Sequence, residues 1–256
     1  MGRIIAITNQ KGGVGKTTTA VNLAACVAAE GKRTLLVDID PQGNATSGLG
    51  MNGRGEASVY DVLLNDAPAE QAVLDTGFSG LMLLPSGIEL AGAEVELVEV
   101  EKRETLLKRA LEPLKAEYDY LFIDCPPSLT LLTLNALTAA DGAIVPIQCE
   151  YYALEGMGQL MNTVKLVRKK LNPTLAVEGI VLTMYDARTN LSAQVVEEVR
   201  GHFPEEAFET LIPRNVRLSE APSYGIPISE YDPKCAGATA YRDLARELIA
   251  RRANLD

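Results

Sequence analysis

The first thirty residues of this chain constrain its fold more than any other segment. An apolar run from Arg3 to Asn9 has the composition of a buried strand, and a helical pattern occupies residues 16–30. Between them lies the glycine-rich segment Lys11–Thr18, which we call the phosphate loop. A glycine-rich turn between a strand and a helix brings backbone N–H groups and the positive end of the helix to one point. The segment therefore predicts a phosphate-binding βα unit.

Each residue type in the phosphate loop suits contact with phosphate groups. Glycine permits the tight turn and the close approach of backbone N–H groups to phosphate oxygens. The lysine at the helix start reaches the β- and γ-phosphates of a nucleotide, and the hydroxyl after it is a ligand for Mg²⁺. We therefore expect a nucleotide to contact Gly12, Gly13, Val14, Gly15, Lys16, Thr17 and Thr18.

Strand-like and helix-like segments alternate along the rest of the chain. The strand candidates are short and continuously apolar, which is typical of a parallel sheet buried on both faces. This alternation predicts an α/β fold with a doubly wound, mostly parallel sheet flanked by helices, in a single domain over residues 1–256. Strands are predicted over 3–9, 34–39, 81–84, 119–124, 143–147 and 177–183, and helices over 16–30, 101–116, 129–139, 153–171, 190–202 and 236–252. We interpret residues 43–55 as a loop and the glutamate-rich residues 89–104 as a solvated helix face.

Composition excludes several classes of protein. With 47% hydrophobic and 23% charged residues and no tryptophan, the chain is predicted to be globular with an aliphatic core. Neither a signal peptide nor an apolar run of membrane-spanning length is evident, and the four cysteines show no CxxC spacing, so we expect a cytoplasmic protein with reduced, buried thiols. The net charge of −10 is concentrated in residues 1–150, where 11 Lys and Arg stand against 20 Asp and Glu. The second half is nearly neutral, so a local basic face there stays possible.

Two further predicted strands end in carboxylates. Asp38 and Asp40 follow Leu35-Leu36-Val37, and Asp124 follows Leu121-Phe122-Ile123. Because ligands of open α/β sheets bind at the carboxyl ends of the strands, these three side chains are expected to converge near the phosphate loop. An apolar strand ending in Asp is also the arrangement that supports Mg²⁺ in P-loop nucleotidases. Capping of the strand ends is the alternative role for each of them.

The phosphate loop departs from the standard G-x-x-x-x-G-K-[ST] pattern, because Gln10 stands where the first glycine belongs and Lys11 is an added lysine. This form resembles the deviant Walker A family, which includes ParA/Soj, MinD, the nitrogenase iron protein and arsenite-pump ATPases. The resemblance implies that Lys11 contacts the nucleotide of a dimer partner, that Asp40 orients the attacking water, and that Asp124 is the Walker B acid. It thus implies ATP and Mg²⁺ as cofactors, with Lys11, Lys16 and Asp40 catalytic and with Thr17, Asp40 and Asp124 at the metal.

The second half of the chain is similar to the ParA/Soj subfamily over three long stretches, residues 148–156, 182–190 and 212–222. The resemblance implies that Met184, Pro213 and Asn215 lie near the adenine and that Glu150 lies near the ribose across a dimer. It also implies non-specific DNA binding through Arg188 and Arg217. Four C-terminal arginines are further candidates for DNA contact or are ordinary solvated side chains: Arg242, Arg246, Arg251 and Arg252.

Taken together, these features resemble those of a slow, dimerising MgATPase that moves a chromosome or plasmid on the nucleoid with a ParB/Spo0J-like partner. No helix-turn-helix segment precedes the phosphate loop, which favours the compact chromosomal type. The main alternative is a MinD-like membrane-associated ATPase, but the C-terminal segment lacks the bulky aromatic anchors that such a protein needs. An iron–sulfur reductase and a biosynthetic P-loop ligase are more remote alternatives, the first because no cysteines are placed to share a cluster.

Overall fold

The structure, a computed structural model, describes residues 2–53, 55–151 and 153–253, except the side chains of residues 153–156 and 159. The family-like stretch over 148–156 includes Tyr152, which lies outside the described residues, as do residues 254–256 of the C-terminal segment.

The described residues form one eight-stranded sheet, which confirms the predicted α/β, doubly wound and mostly parallel architecture. Neighbouring strands are parallel, except for one antiparallel pair at an edge. The strands are β1 (Arg3–Ile7), β2 (Thr34–Asp38), β3 (Leu74–Asp75), β4 (Leu81–Leu84), β5 (Tyr120–Asp124), β6 (Gly142–Gln148), β7 (Ala176–Tyr185) and β8 (Ala207–Pro213). Their order across the sheet is β3-β4-β2-β5-β1-β6-β7-β8, so β5 lies between β1 and β2 and the ends of these three strands meet.

Two strands, β3 and β8, were not predicted, and both lie at the edges of the sheet. β3 is only two residues long and pairs antiparallel with β4. β8 carries the polar Glu209 and Thr210 and is exposed along part of its length. Edge strands contact a neighbour on one side only and need no continuous apolar run, so the pattern that reveals buried parallel strands misses them.

Helices cover both faces of the sheet. They are α1 (Lys16–Ala29), α2 (Asn44–Gly48), α3 (Val59–Leu64), α4 (Ala69–Ala72), α5 (Leu90–Glu96), α6 (Leu106–Leu111), α7 (Leu131–Ala139), α8 (Ala153–Lys170), α9 (Asn190–His202), α10 (Val216–Glu220), α11 (Ile228–Tyr231) and α12 (Ala236–Ala253). Short 3₁₀ turns span Leu97–Glu99, Arg103–Thr105, Pro113–Ala116 and Ala221–Tyr224. No helix in the part of the chain that the structure describes is both long and apolar enough to cross a membrane.

Two helix predictions and one loop prediction are corrected. The helix predicted over 101–116 is interrupted, because Lys102 adopts a left-handed backbone (φ 55°) and Pro113 lacks the N–H group that would continue α6. The predicted loop over 43–55 contains α2, which begins after Gly43. The glutamate-rich segment 89–104 is α-helical only over α5 and then continues as 3₁₀ turns.

The core confirms the aliphatic prediction. Successive residues of β1 face opposite sides of the sheet, so Ile5 packs towards α1 and α12 while Ile4 packs towards α3 and α7. Three of the four cysteines are buried, and Cys235 is half-buried; all four are free thiols. Burial raises the pKa of Cys26 and of Cys149 to about 11, so both thiols stay protonated and unreactive at neutral pH.

Candidate active site

The phosphate loop joins the end of β1 to the start of α1, and its shape depends on glycine. Gly13 (φ 73°) and Gly15 (φ 87°) adopt left-handed backbone conformations that other residues rarely tolerate. The Thr183 hydroxyl donates a 2.8 Å hydrogen bond to the carbonyl of Val14, which ties the loop to β7. No side chain caps the N-terminus of α1, so its first N–H groups are available to an anion.

Lys16 is held within the phosphate loop. Its side chain is almost fully buried, and Nζ donates a 3.0 Å hydrogen bond to the carbonyl of Lys11. Burial lowers the pKa of the Lys16 ammonium, while the nearby carboxylates of Asp124 and Asp40 oppose this change. The loop therefore places a cation and free backbone donors around one small volume.

Lys11 lies at the surface of the loop, where it forms an ion pair with Glu150 at 3.7 Å. Its backbone N–H donates to Asn9, whose amide in turn donates to the carbonyl of Pro146 in β6. Both members of the Lys11–Glu150 pair are more than one third exposed, and such a pair contributes less than about 1 kcal/mol to stability. The Lys11 ammonium is thus easily released to another anion. The sequence pattern did not reveal this pairing.

Asp38 anchors the segment that follows β2. Its fully buried carboxylate accepts hydrogen bonds from the Thr46 N–H (2.8 Å), the Thr46 hydroxyl (2.7 Å) and the Asp40 N–H (3.1 Å). Burial raises the pKa of Asp38 to about 6, and the hydrogen bonds from Thr46 limit the rise. Asp38 therefore holds residues 40–46, which we call the switch segment, against the end of the sheet. The role of Thr46 could not be predicted, because nothing in the sequence around Thr46 indicates a contact with Asp38, eight residues earlier.

Asp40 lies in the switch segment beside the phosphate loop. Among the described residues only Gln42 donates to the Asp40 carboxylate, through its backbone N–H at 2.9 Å. The backbone carbonyl of Asp40 accepts a 2.8 Å hydrogen bond from the Ser86 hydroxyl, which comes from the turn after β4. The Asp40 carboxylate thus keeps acceptor capacity for a water molecule or a cation.

Asp124 is a buried carboxylate whose oxygens the surrounding protein does not satisfy. It pairs directly with Asp38 across β5 and β2 and is completely buried, and neither carboxylate oxygen accepts a hydrogen bond from any residue that the structure describes. Burial, followed by the charge of Asp38, raises the pKa of Asp124 well above its usual range. The Thr17 hydroxyl lies close to the Asp124 carboxylate and opposes this rise in its pKa, although the two groups are not in hydrogen-bonding geometry.

A buried carboxylate without a partner needs a proton, a water molecule or a cation. Asp124 beside Thr17 therefore fits a site for Mg²⁺ or a Mg²⁺-bound water. Within the described residues no three His, Cys, Asp or Glu side chains form a cage that would hold a metal alone. Most ligands of a cation here would have to be phosphate oxygens and water, as is usual for Mg²⁺.

A cleft next to the phosphate loop collects the residues predicted to surround a base. The ends of β7 and β8 and the start of α10 enclose a cavity of about 310 Å³ that Met184, Pro213 and Asn215 line together with Gly15 and Thr18. Met184 has a left-handed backbone (φ 53°), an uncommon conformation that turns the chain at the end of β7. Arg214, Ser219 and Pro222 also line this cleft and were not predicted.

The candidate DNA-binding arginines are exposed but paired. Arg188 is 86% exposed and donates two hydrogen bonds to Asp186, and the Arg188 guanidinium lowers the pKa of Asp186 well below its usual range. Arg217 bonds to Glu220 at 2.8 Å. Two of the C-terminal candidates pack back onto the fold: Arg251 donates to the carbonyl of Ala207, and Arg252 lies over the ring of Tyr120.

Comparison with known proteins places this geometry in a family. A family model described as an AAA domain matches residues 2–177. The chain is 62% identical to the sporulation initiation inhibitor protein Soj of Bacillus subtilis, over 98% of this chain and 99% of that protein. It is 58% identical to the chromosome partitioning protein ParA of Myxococcus xanthus, over 98% of this chain and 89% of that protein.

Solved structures share the fold. One titled cobyrinic acid a,c-diamide synthase from Mycobacterium smegmatis, with bound ADP and magnesium, has a TM-score of 0.87 and 40% identity, and the match covers 100% of this chain and 97% of that one. The cell division ATPase MinD of Pyrococcus furiosus has a TM-score of 0.82 and 28% identity, with 98% and 99% of the two chains covered.

The unpartnered Asp124 carboxylate generates a stability prediction. When a carboxyl has a higher pKa in the folded than in the unfolded protein, the protein loses stability as the pH rises from the unfolded-state pKa to the folded-state pKa. Asp124 is such a carboxyl. We therefore expect Asp124→Asn to stabilise the nucleotide-free protein by about 1–3 kcal/mol at pH 8, because it removes an uncompensated buried charge. The gain should shrink as the pH falls and the wild-type carboxyl takes up a proton. Urea unfolding at both pH values measures this.

Asp119→Asn is the matched control, because Asp119 directly precedes β5 and Asp124 ends it. The hydrogen bond from Arg33 lowers the pKa of Asp119, so this substitution should destabilise the protein at pH 8, and the loss should diminish in acid. An Asp124→Asn protein that is less stable than the wild type at pH 8 without ligand would contradict the assignment.

Proposed function

This chain belongs to the Soj/ParA family of chromosome-partitioning ATPases, and on that premise we propose that it is a MgATP-dependent switch that dimerises, binds DNA without sequence preference and works with a ParB-like partner on the nucleoid. The observation that carries this proposal is that the phosphate loop, Lys16 and the strand-end carboxylates meet at the carboxyl ends of the central parallel strands. We propose further that residues 1–256 act as one cytoplasmic domain, which the continuous sheet supports.

We assign ATP to the phosphate loop. Backbone N–H groups of Gly12–Thr18 would surround the phosphates, and Lys16 would exchange its bond to the Lys11 carbonyl for a phosphate oxygen. The cleft of Met184, Pro213 and Asn215 is open beside Thr18 and suits the base. Thr17, Asp40 and Asp124 would hold Mg²⁺ directly or through water. When bound, this ion would neutralise charge on the phosphate oxygens.

Hydrolysis then requires a water molecule aligned with the terminal phosphate. We propose that Asp40 orients that water through its available carboxylate and that Lys16 stabilises the charge that develops on the phosphoryl oxygens. The chain has a single histidine, His202, which lies on α9 with its Nδ1 within 2.8 Å of the Glu198 carbonyl. With no histidine base beside Asp40, we propose slow turnover, as befits a switch.

Lys11 supplies the link between nucleotide and dimerisation. Its ammonium is at the surface and held by one half-exposed carboxylate, that of Glu150. We propose that Lys11 leaves Glu150 to contact the phosphates bound by a second copy, and that Glu150 then approaches the ribose across the dimer. Contact between a cation and phosphate across an interface makes dimer affinity depend on the charge of the nucleotide.

Arg188 and Arg217 are the proposed DNA contacts. Both lie on polar segments of the second half of the chain, where the charge is nearly balanced. In this proposal each guanidinium leaves its carboxylate partner, Asp186 or Glu220, and binds a DNA phosphate. Because both arginine side chains are exposed, breaking either pair costs little. Dimerisation doubles the number of such contacts, which would make DNA binding depend on ATP.

The two rival functions have weaker support. The solved structures named as MinD and as cobyrinic acid a,c-diamide synthase are 28% and 40% identical to this chain. The relatives named Soj and ParA reach 62% and 58% over nearly its whole length. No structural observation in the described residues favours membrane association or amide synthesis over partitioning.

Asp40→Ala tests the hydrolytic role. We expect ATP hydrolysis to fall by about 100-fold or more, because the attacking water loses its orienting carboxylate. ATP binding and dimerisation should persist, since Asp40 makes no contact that holds the phosphate loop. Steady-state phosphate release and sizing with ATP measure the two effects. Asp243→Ala, at an exposed aspartate of α12, is the control, and wild-type turnover by the Asp40 variant would reject the role.

Lys11→Ala tests the dimer model. With ATP, wild-type protein should elute as a dimer and with ADP as a monomer, whereas Lys11→Ala should stay monomeric with both or dimerise at least about tenfold more weakly. The variant should still bind ATP through Lys16. Lys32 precedes β2, at the amino ends of the parallel strands and thus away from the phosphate loop. Lys32→Ala should therefore behave as the wild type. A wild-type monomer under all conditions, including with DNA, would refute the model.

Arg188→Ala and Arg217→Ala test the DNA surface. Each substitution should weaken binding to duplexes of any sequence, and each should reduce the slope of log affinity against log salt by about one unit, since one phosphate contact is lost. Fluorescence anisotropy with two unrelated duplexes over a salt series measures this. Arg33→Ala is the control. Arg33 is also exposed and paired with an aspartate, Asp119, but it lies at the amino end of β2, so its removal should leave the slope unchanged.

A further inference from the structure

A cavity lies at the amino ends of β1, β2 and β5, whereas the phosphate loop lies at the carboxyl ends of these strands. Its volume is about 330 Å³, and its walls include Gly2 before β1, Lys32 and Arg33 before β2, and the end of α12. We call it the amino-end cavity. Its volume is near the lower limit for ligand pockets and suits one small molecule.

Cations predominate in the walls of the amino-end cavity. Asp119 is the one carboxylate among the described residues that line it. The four cations that line it come from three distant segments of the chain and are Lys32, Arg33, Lys115 and Arg252. In a chain with a net charge of −10, a concave site with an excess of cations favours an anion.

Carboxylates hold two of these cations in place. Arg33 pairs with Asp119 at 3.1 Å. Lys115 pairs with Asp141 at 3.1 Å, and its side chain is only 13% exposed, so it is fixed in the wall. Glu117 adds a further negative charge near Arg33. Three carboxylates thus oppose four cations, and the local charge stays positive.

The other two cations contact the surrounding protein through uncharged groups. Arg252 donates a 3.0 Å hydrogen bond to the backbone carbonyl of Asp119, and its guanidinium lies 5.0 Å from the centre of the Tyr120 ring. These two contacts orient the guanidinium in the wall of the cavity. Lys32 is half-buried and forms no ion pair with any residue in the part of the chain that the structure describes.

Backbone hydrogen bonds join the segments that form the cavity. The Gly2 N–H donates to the Lys115 carbonyl and the Asp119 N–H to the Arg33 carbonyl, both at 2.8 Å. The chain passes so closely at Gly2 that a Cβ atom there would collide with the Tyr118 carbonyl. The walls are therefore fixed before a ligand arrives, which lowers the entropic cost of binding.

The side chains in the walls identify the class of ligand. A guanidinium matches the oxygens of a phosphate group in a bidentate way, and lysines add point charges. Tyr118 and Ile249 add apolar surface to the same cavity, which suits a sugar or base ring. A cavity of this volume admits such a molecule but is too small for a DNA duplex.

We propose that the amino-end cavity binds a small phosphate ester, that is, a phosphate group joined to a sugar- or nucleoside-sized body, with one molecule per chain. This site is separated from the phosphate loop by the full length of the central strands. Its occupation is therefore not required for dimerisation or DNA binding, and the proposal does not rest on the proposed function.

Isothermal titration calorimetry with uridine 5′-monophosphate tests this binding. Full-length protein saturated with ADP and Mg²⁺ keeps the probe out of the phosphate loop. We expect one site per chain, an affinity that falls as salt rises, and no binding of uridine, which lacks the phosphate. Inorganic phosphate should bind at least about tenfold more weakly, because it cannot use the apolar wall. Equal affinity for inorganic phosphate would overturn the assignment to an ester.

Lys115→Gln/Arg252→Gln tests the cations. The glutamine amides can still donate hydrogen bonds to the same acceptors, but two positive charges are removed, so binding of uridine 5′-monophosphate should weaken by about tenfold or more. The matched control is Lys108→Gln/Arg109→Gln, which removes one exposed lysine and one exposed arginine from α6, outside the cavity. This control should bind the probe as the wild type does.

Ala253→Glu is a second variant that leaves every cation in place. Ala253 is exposed at the end of α12 and lines the cavity, so a glutamate there brings a negative charge to its rim and should weaken binding of the probe. Urea unfolding should show wild-type stability for this variant. Ala91→Glu, at an exposed alanine of α5, is the control and should leave binding unchanged.

Two outcomes would overturn the proposal. The first is equal affinity for uridine 5′-monophosphate in the cavity variants and in their controls, or equal affinity for uridine. The second is an absence of probe binding to the wild type, combined with reduced stability of Lys115→Gln/Arg252→Gln in urea, which would assign these cations to a purely structural network. A protein without ATPase activity would fail the proposed function, yet the comparison of cavity variants with their controls would still decide on this site.

Discussion

The buried pair of carboxylates at the ends of β2 and β5 is the constraint on which the rest of the site depends. Asp38 and Asp124 face each other in a parallel register, where two negative charges in a low-dielectric interior repel strongly. Asp38 is stabilised by three hydrogen bonds from the switch segment, but Asp124 has none. The protein alone therefore leaves one buried carboxylate unsatisfied. In the proposed function a cation that arrives with the nucleotide would compensate it, which would link ligand binding to local stability.

The same pair also explains how the switch segment is connected to the turn after β4. Thr46 uses its N–H and hydroxyl to satisfy Asp38, and its hydroxyl also accepts a hydrogen bond from Ser86. Ser86 in turn holds the backbone of Asp40. A short series of buried and half-buried polar contacts thus joins the sheet, the switch segment and the turn before α5. Buried polar networks of this kind have few alternative arrangements, so a change at one member is transmitted to the others.

Much of the site was predictable because its chemistry is local. The phosphate loop, Lys16, Asp40 and Asp124 were identified from strand-end positions and glycine spacing, and the structure brings them together at one edge of the sheet. Met184, Pro213 and Asn215 were named from a resemblance, and they do share a cleft. Thr46, Ser86 and Thr183 were missed, because single hydroxyls in turns and strands have no periodic signal and gain a role only from a partner distant in the chain. The two edge strands were missed because they lack a continuous apolar run, and α2 was missed because five residues are too few to show a helical period.

By itself the sequence determined the α/β class, the central strands, the aliphatic core and the residues that form the phosphate loop, because each depends on spacing over a few neighbouring residues. Only the tertiary structure decided how the carboxylates divide their tasks. Asp38 became an anchor because Thr46 and Asp40 donate hydrogen bonds to it, whereas no donor among the described residues reaches the buried carboxylate of Asp124. The tertiary structure likewise showed that Lys11 is held by Glu150 and that cations from three distant segments line one cavity. Such contacts depend on which segments the fold places side by side, and no local pattern of residues contains that information.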